Sequence, residues 1–139
     1  MIFWDSSALV ALLVSEPESA GRLAQFQADP ELAVWWATSV EVESALQRRV
    51  REGSIDVAAA RMARDRLNDL ASTWHEVNPT PTVRKLALRL LRTHPLRAAD
   101  SLQLAAAISL EAAGVQKLSF ACADQRLNHA AETEGLNGL

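Results

Sequence analysis

Residues 1–13 read MIFWDSSALVALL: a short apolar strand at Ile2–Trp4, one acid at Asp5, two hydroxyls at Ser6 and Ser7, then an apolar helical run that starts at Ala8 and continues one residue beyond, to Val14. A strand running directly into a helix opens a βαβ unit, and open α/β sheets bind their ligands outside the carboxyl ends of strands. Asp5 stands at such an end. An aspartate there also suits an Asx turn or a helix cap, and Ser6 or Ser7 can cap the helix that follows.

Outward from this junction the same alternation continues. Ser15 to Glu18 break the pattern and a second helix runs to Gln27, ended by Asp29 and Pro30. Leu32 to Trp36 reads as a strand, and Thr38 begins a helix that Gly53 stops. Asp56 opens another, with Val57, Ala60, Ala63, Leu67 and Leu70 on one face. Trp74 to Val77 reads as a strand, Thr82 to Arg92 as a helix, and Lys117 to Cys122 as a strand. Gln125 to Glu134 is a last helix, and Leu136 to Leu139 a short edge strand. The helix Arg97 to Ala113 differs from the others. Leu102, Leu104, Ala105 to Ala107, Ile108 and Leu110 make it apolar almost all round, so it should be buried. Alternating strands and helices imply right-handed crossovers and a parallel sheet covered on both faces.

The chain's 139 residues suit one domain, spanning 1–139, with one sizeable core. The apolar run Ala8 to Val14 is too short to cross a bilayer, and what precedes it carries Asp5 rather than a basic leader. A cytoplasmic protein with no membrane association is expected. Cys122 is the only cysteine, and His75, His94 and His129 have no metal-ligand spacing, which argues against zinc. The net charge is −3, yet it is unevenly spread. Between Arg48 and Arg97 there are eleven basic and five acidic residues, a local +6 in an otherwise acidic chain. Such a segment is either a set of solvated helix faces or an attraction for phosphate.

Four acids occupy strand ends or helix starts. Asp5 follows the first strand. Glu41 lies three residues after Thr38, the spacing of a capping box. Asp100 enters the buried helix and can complement its dipole or pair with Arg97. Asp124 follows the fourth strand and can cap the last helix. Each has an ordinary structural explanation. In a doubly wound sheet, however, these positions converge on one edge, where gathered carboxylates repel unless a divalent ion neutralises them. An oxygen-only donor set suits Mg²⁺ or Mn²⁺.

With these residues in view, the chain resembles the PIN-domain ribonucleases, specifically the VapC-type toxins of toxin–antitoxin pairs. The matching pieces are FWDSSALVALL from Phe3, TSVEVESALQRR from Thr38, LRAADSLQLAAA from Leu96 and FACADQRLNHAAETEGL from Phe120. The resemblance implies a PIN-like three-layer α/β/α sandwich whose central, mostly parallel sheet has four to five short strands. It assigns the catalytic, metal-binding acids to Asp5, Glu41, Asp100 and Asp124. Glu41 is chosen over Glu43 because the family glutamate precedes an Ala-Leu pair, here Ala45 and Leu46, by four and five residues. Ser7 matches a small hydroxyl beside the metal and phosphate. Cys122 stands where relatives often carry threonine.

The activity implied is Mg²⁺- or Mn²⁺-dependent endonucleolytic cleavage of RNA by a metal-activated water. The partners implied are a second copy in a homodimer and a VapB-like antitoxin. Arg48, Arg49 and Arg51 extend the helix bearing Glu41 and are candidate RNA-binding residues. Trp35 and Trp36 offer either a stacking surface for a base or core and dimer contacts. A haloacid-dehalogenase-type phosphohydrolase would need an aspartate where Ser7 stands, and a receiver-like domain an acidic pair after the first strand. A non-enzymatic alternative is a catalytically inactive PIN-like module that only binds RNA or protein.

Overall fold

The structure is a computed structural model and describes residues 1–115 and 118–139. Among these residues the elements run β1 (Ile2–Trp4), α1 (Ser6–Leu13), α2 (Ser19–Ala28), β2 (Leu32–Trp35), α3 (Thr38–Arg51), α4 (Val57–Ala71) and β3 (His75–Val77). They continue with α5 (Pro81–Thr93), α6 (Ala98–Ala112), β4 (Ser119–Ala121), α7 (Gln125–Thr133) and β5 (Asn137–Gly138). The expected fourth strand began at Lys117, which lies outside the described residues.

All five strands pair in parallel, in the order β3-β2-β1-β4-β5, so the expected mostly parallel sheet is wholly parallel. The register sets Phe3 beside Phe120 and Trp4 beside Ala121. Strands this short carry little stability alone; burial on both faces supplies it. Phe3, Ala33, Trp35 and Phe120 point to one face, under α5, α6 and α7. Ile2, Trp4, Leu32, Val34 and Ala121 point to the other, under α1, α3 and α4. The result is an α/β/α sandwich in which the two-residue alternation of each strand feeds two cores. Each large core side chain contributes roughly 1.5–3 kcal/mol by leaving water. Phe3 and Phe120 also stack, with ring centroids 5.7 Å apart.

Local chemistry sets the helix ends. Asp56 accepts the N–H of Ala59, and Thr80 accepts that of Val83 ahead of Pro81. Gly53 and Gly114 take positive φ of 75° and 106° just past α3 and α6, where a side chain would be strained. Two expectations fail. The first helix starts at Ser6 rather than Ala8, because Asp5 and not a serine is its cap. Val57 is 68% exposed, since the turn beside the cap precedes the buried stripe of Ala60, Ala63 and Leu67. No helix among the described residues is long and apolar enough to cross a membrane.

The topology fixes where a ligand can sit. The chain leaves β1 toward β2 through helices of one layer, and β4, on the other side of β1, is followed by a helix of the opposite layer. The carboxyl ends of β1 and β4 therefore flank the point where strand order reverses, which opens a crevice there.

Candidate active site

Asp5, Glu41, Asp100 and Asp124 all line one cleft of about 430 Å³ at this crevice. Ser6, Ser7, Glu16, Ser44, Arg48, Arg49 and Arg97 border it as well. Glu43, the glutamate set aside on spacing, points elsewhere and pairs with Arg64 at 2.7 Å.

Asp5 leaves β1 with its N–H bonded to the carbonyl of Ala121 on β4 at 2.9 Å, tying the two strand ends together. Its carboxylate caps α1 by accepting the N–H of Ser7 at 2.9 Å, and it also accepts the Ser7 hydroxyl. That hydroxyl in turn accepts the N–H of Ala123 at 2.9 Å, so Ser7 links the Asp5 side chain to the loop carrying Asp124. Asp5 is only 6% exposed. Burial pushes its carboxyl up to about 6 against the opposing bonds from Ser7, and the charges of Glu41 and Asp100 add to the rise.

Glu41 does not form the capping box its spacing suggests. The residue before α3 is Ala37, with no side-chain cap, and the Glu41 carboxylate turns instead to the side chains of Ser6 and Gln103. Asp100 is half-buried in the first turn of α6 and accepts the main-chain N–H of Arg97 at 3.2 Å. Asp124 caps α7 through the N–H groups of Arg126 (2.8 Å) and Leu127 (3.1 Å). The Leu127 N–H, joined by the bond and charge of Arg126, holds its carboxyl below the usual range.

Cys122, at the position where a hydroxyl was expected, is buried and donates its thiol to the Asp124 carbonyl at 3.2 Å. Burial, aided by the Asp5 charge, pushes the thiol up to about 12, so it stays protonated in this role.

The basic residues divide. Arg48 is exposed on the rim, whereas Arg49 is engaged with Glu16 through Nε at 2.9 Å and a second guanidinium contact. Arg51 is exposed at the end of α3 and is not among the cleft-lining residues. Trp35 is core at 4% exposure, while Trp36 is 53% exposed. Arg22 and Gln103 were not singled out in the sequence. Arg22 is a buried guanidinium on α2 that donates to the carbonyls of Cys122 (2.6 Å) and Leu139 (3.1 Å). Gln103 had a readable signal, being a polar side chain inside an apolar helix.

Among the described residues no three acidic, histidine or cysteine side chains close into a ready-made chelate. The donor chemistry nevertheless fits a hard divalent cation. Four carboxylates border one cleft, one of them desolvated and repelled by two of the others, and Mg²⁺ takes only one or two carboxylates while keeping several waters. Asp5, Glu41, Asp100 and Asp124 are the residues that could hold it.

A family model described as PIN domain matches residues 2–132. Two Mycobacterium tuberculosis proteins, Ribonuclease VapC45 and Ribonuclease VapC49, are each 30% identical over 135 residues, covering 97% of this chain and 92% of their own. Among solved structures, M. tuberculosis VapC20, described as a sarcin-ricin loop cleaving toxin, has a TM-score of 0.70 at 17% identity, covering 98% of this chain and 96% of that one. FitAcB from Neisseria gonorrhoeae has a TM-score of 0.68 at 15% identity, covering 100% and 96%. At those identities the two structures speak for the fold.

Proposed function

The chain belongs to the PIN-domain family, with relatives named ribonuclease VapC, and from that premise we propose a Mg²⁺- or Mn²⁺-dependent endoribonuclease acting as the toxin of a toxin–antitoxin pair. The observation that carries the reading is the meeting of Asp5, Glu41, Asp100 and Asp124, from four separate segments, around one cleft. Helix capping accounts for Asp5, Asp100 or Asp124 taken singly. It does not account for an Asp5 whose pKa is raised chiefly by burial, with the charges of two further acids at the same opening adding to the rise.

A divalent cation held there supplies polarisation of the scissile phosphodiester and activation of the attacking water. The chain's own residues do the rest. Asp5, Glu41, Asp100 and Asp124 would hold the metal, one or two of them directly and the others through its waters. Ser7 keeps Asp5 and the Ala123 loop in fixed relation, so the ligands on β1 and after β4 do not drift apart. Arg48 and Arg97 stand at the cleft, where they attract the RNA backbone that the acids alone would repel. Arg51 extends that basic surface, and Arg49 reaches RNA only by giving up Glu16. The working unit is one domain over residues 1–139, paired as a homodimer and restrained in the cytoplasm by a VapB-like antitoxin. The toxin assignment rests on relatives bearing the VapC name.

Production of the protein alone in a bacterial host tests the whole reading. Wild type should arrest growth and fragment cellular RNA, while Asp5→Asn at matched expression should do neither. Equal growth and intact RNA in both cultures would leave the inactive binding module as the better reading.

A further inference from the structure

One buried amide interrupts the apolar run of α6. Gln103 is 1% exposed beside Leu104 and Ala105 to Ala107, at a position where a hydrophobe would bury no unpaired polar atom. Its Nε2 donates to Glu41 Oε2 at 2.8 Å and to Ser6 Oγ at 2.7 Å, and lies 3.5 Å from Thr38 Oγ1. Ser6 Oγ passes its own hydrogen to the same Glu41 oxygen. Glu41 Oε2 thus receives two donors, one from each helical layer, while Oε1 makes no hydrogen bond among the described residues.

The arrangement has a cost. Gln103 Oε1 is buried without a partner, and an unpaired buried acceptor is expensive. Turning the amide over gives no relief, because Oε1 would then face the carboxylate. Both donors are also neutral. An arginine or lysine here would hold Glu41 as firmly, but would cancel its charge and compete with a cation. An amide and a hydroxyl fix the direction of the carboxylate and leave its charge available.

Building on the metal-site reading, we propose that Gln103 is a positioning residue that, with Ser6, locks Glu41 so that Oε1 is presented to the divalent cation in the cleft. The test is Mn²⁺ binding to the full-length, metal-stripped protein without RNA, followed by the EPR signal of free Mn²⁺. Gln103→Met keeps the bulk and removes the donor, and should weaken binding about 10- to 100-fold. Gln103→His, which returns a ring N–H, should recover part of the loss. On a Glu41→Gln background, Gln103→Met should change the affinity by less than about twofold, because its effect runs through that carboxylate.

Wild-type affinity in Gln103→Met would overturn the proposal. So would an equal weakening on the Glu41→Gln background, the signature of a merely structural role. If near-ultraviolet circular dichroism shows Gln103→Met unfolded, Ser6→Ala, which removes the second donor to the same oxygen, carries the same comparison. A wild-type protein that binds no Mn²⁺, or a Glu41→Gln variant that binds it as wild type does, would instead overturn the metal-site reading, and this proposal with it.

Discussion

Asp5 accepts the main-chain N–H of Ser7 at 2.9 Å, so one carboxylate both caps α1 and faces the acidic cleft. The two tasks make different demands. A cap needs only an acceptor oxygen, which asparagine supplies equally well, whereas a cation ligand needs the charge. Asp5→Asn therefore separates them, and the direction of its effect on stability is opposite to that of an ordinary cap deletion.

In metal-free protein the folded-state pKa of Asp5, about 6, lies above its unfolded value of 3.8. The folded state then binds the Asp5 proton more tightly, so the stability this group contributes is full below pH 3.8 and is lost as pH rises through 6. The loss at neutral pH is about 3 kcal/mol. Asp5→Asn should abolish this fall and stabilise the metal-free protein at neutral pH. Urea unfolding of both proteins with chelator, at pH values below and above the window, measures it; a stability difference between wild type and Asp5→Asn that does not change across the window would remove the buried-charge argument.

Asp124 caps α7 through Arg126 and Leu127 while its side chain borders the cleft. Asp124→Asn should keep stability within a few tenths of a kcal/mol, and Asp124→Ala should lose about 1 kcal/mol. Both should lose RNA cleavage. Activity surviving in the asparagine variant would mean that Asp124 serves the helix and not the metal.

Arg48 is an exposed cation on the cleft rim, whereas Arg49 is engaged with Glu16. Arg48→Ala should weaken RNA binding and reduce the slope of log affinity against log salt by roughly 0.7, the share of one phosphate contact on a single strand. Arg49→Ala should change that slope less. The comparison needs a catalytically silent background and several salt concentrations, with equal slopes for wild type and Arg48→Ala counting against the assignment.

Arg22 ties α2 to the end of β4 by donating to the Cys122 carbonyl at 2.6 Å, two residues before Asp124. Arg22→Met leaves that buried acceptor unpaired and should cost about 2 kcal/mol. Chemical denaturation checks it. An unchanged midpoint would show that the carbonyl finds another partner.

Much of this architecture was legible because strand-helix junctions leave strong local marks. Ile2–Trp4 runs directly into Asp5, and Ser119–Ala121 is followed three residues after its end by Asp124, so each short strand leads to an acid at a helix start. The parallel sheet then brings the two ends together. What the chain concealed were contacts between distant elements. Thr38 and Glu41 have capping-box spacing, but Glu41 bonds instead to Ser6 and Gln103, 35 and 62 residues away. Tertiary packing outweighed the local option. Gln103 was visible as a polar residue in a buried helix, although its partner was not. Arg22 gave no signal, because a basic residue on a short amphipathic helix ordinarily faces water. Likewise, the shared basic character of Arg48 and Arg49 did not reveal that Glu16 engages one of them.

The most direct measurement is cleavage of total RNA by the purified protein, with added Mg²⁺ or Mn²⁺ and with chelator, beside Asp5→Asn and Asp100→Asn. The expected result is fragmentation by the wild type only when the metal is present, and none by either variant under any condition. Cleavage that persists in chelator and in both variants would contradict the metal-nuclease reading.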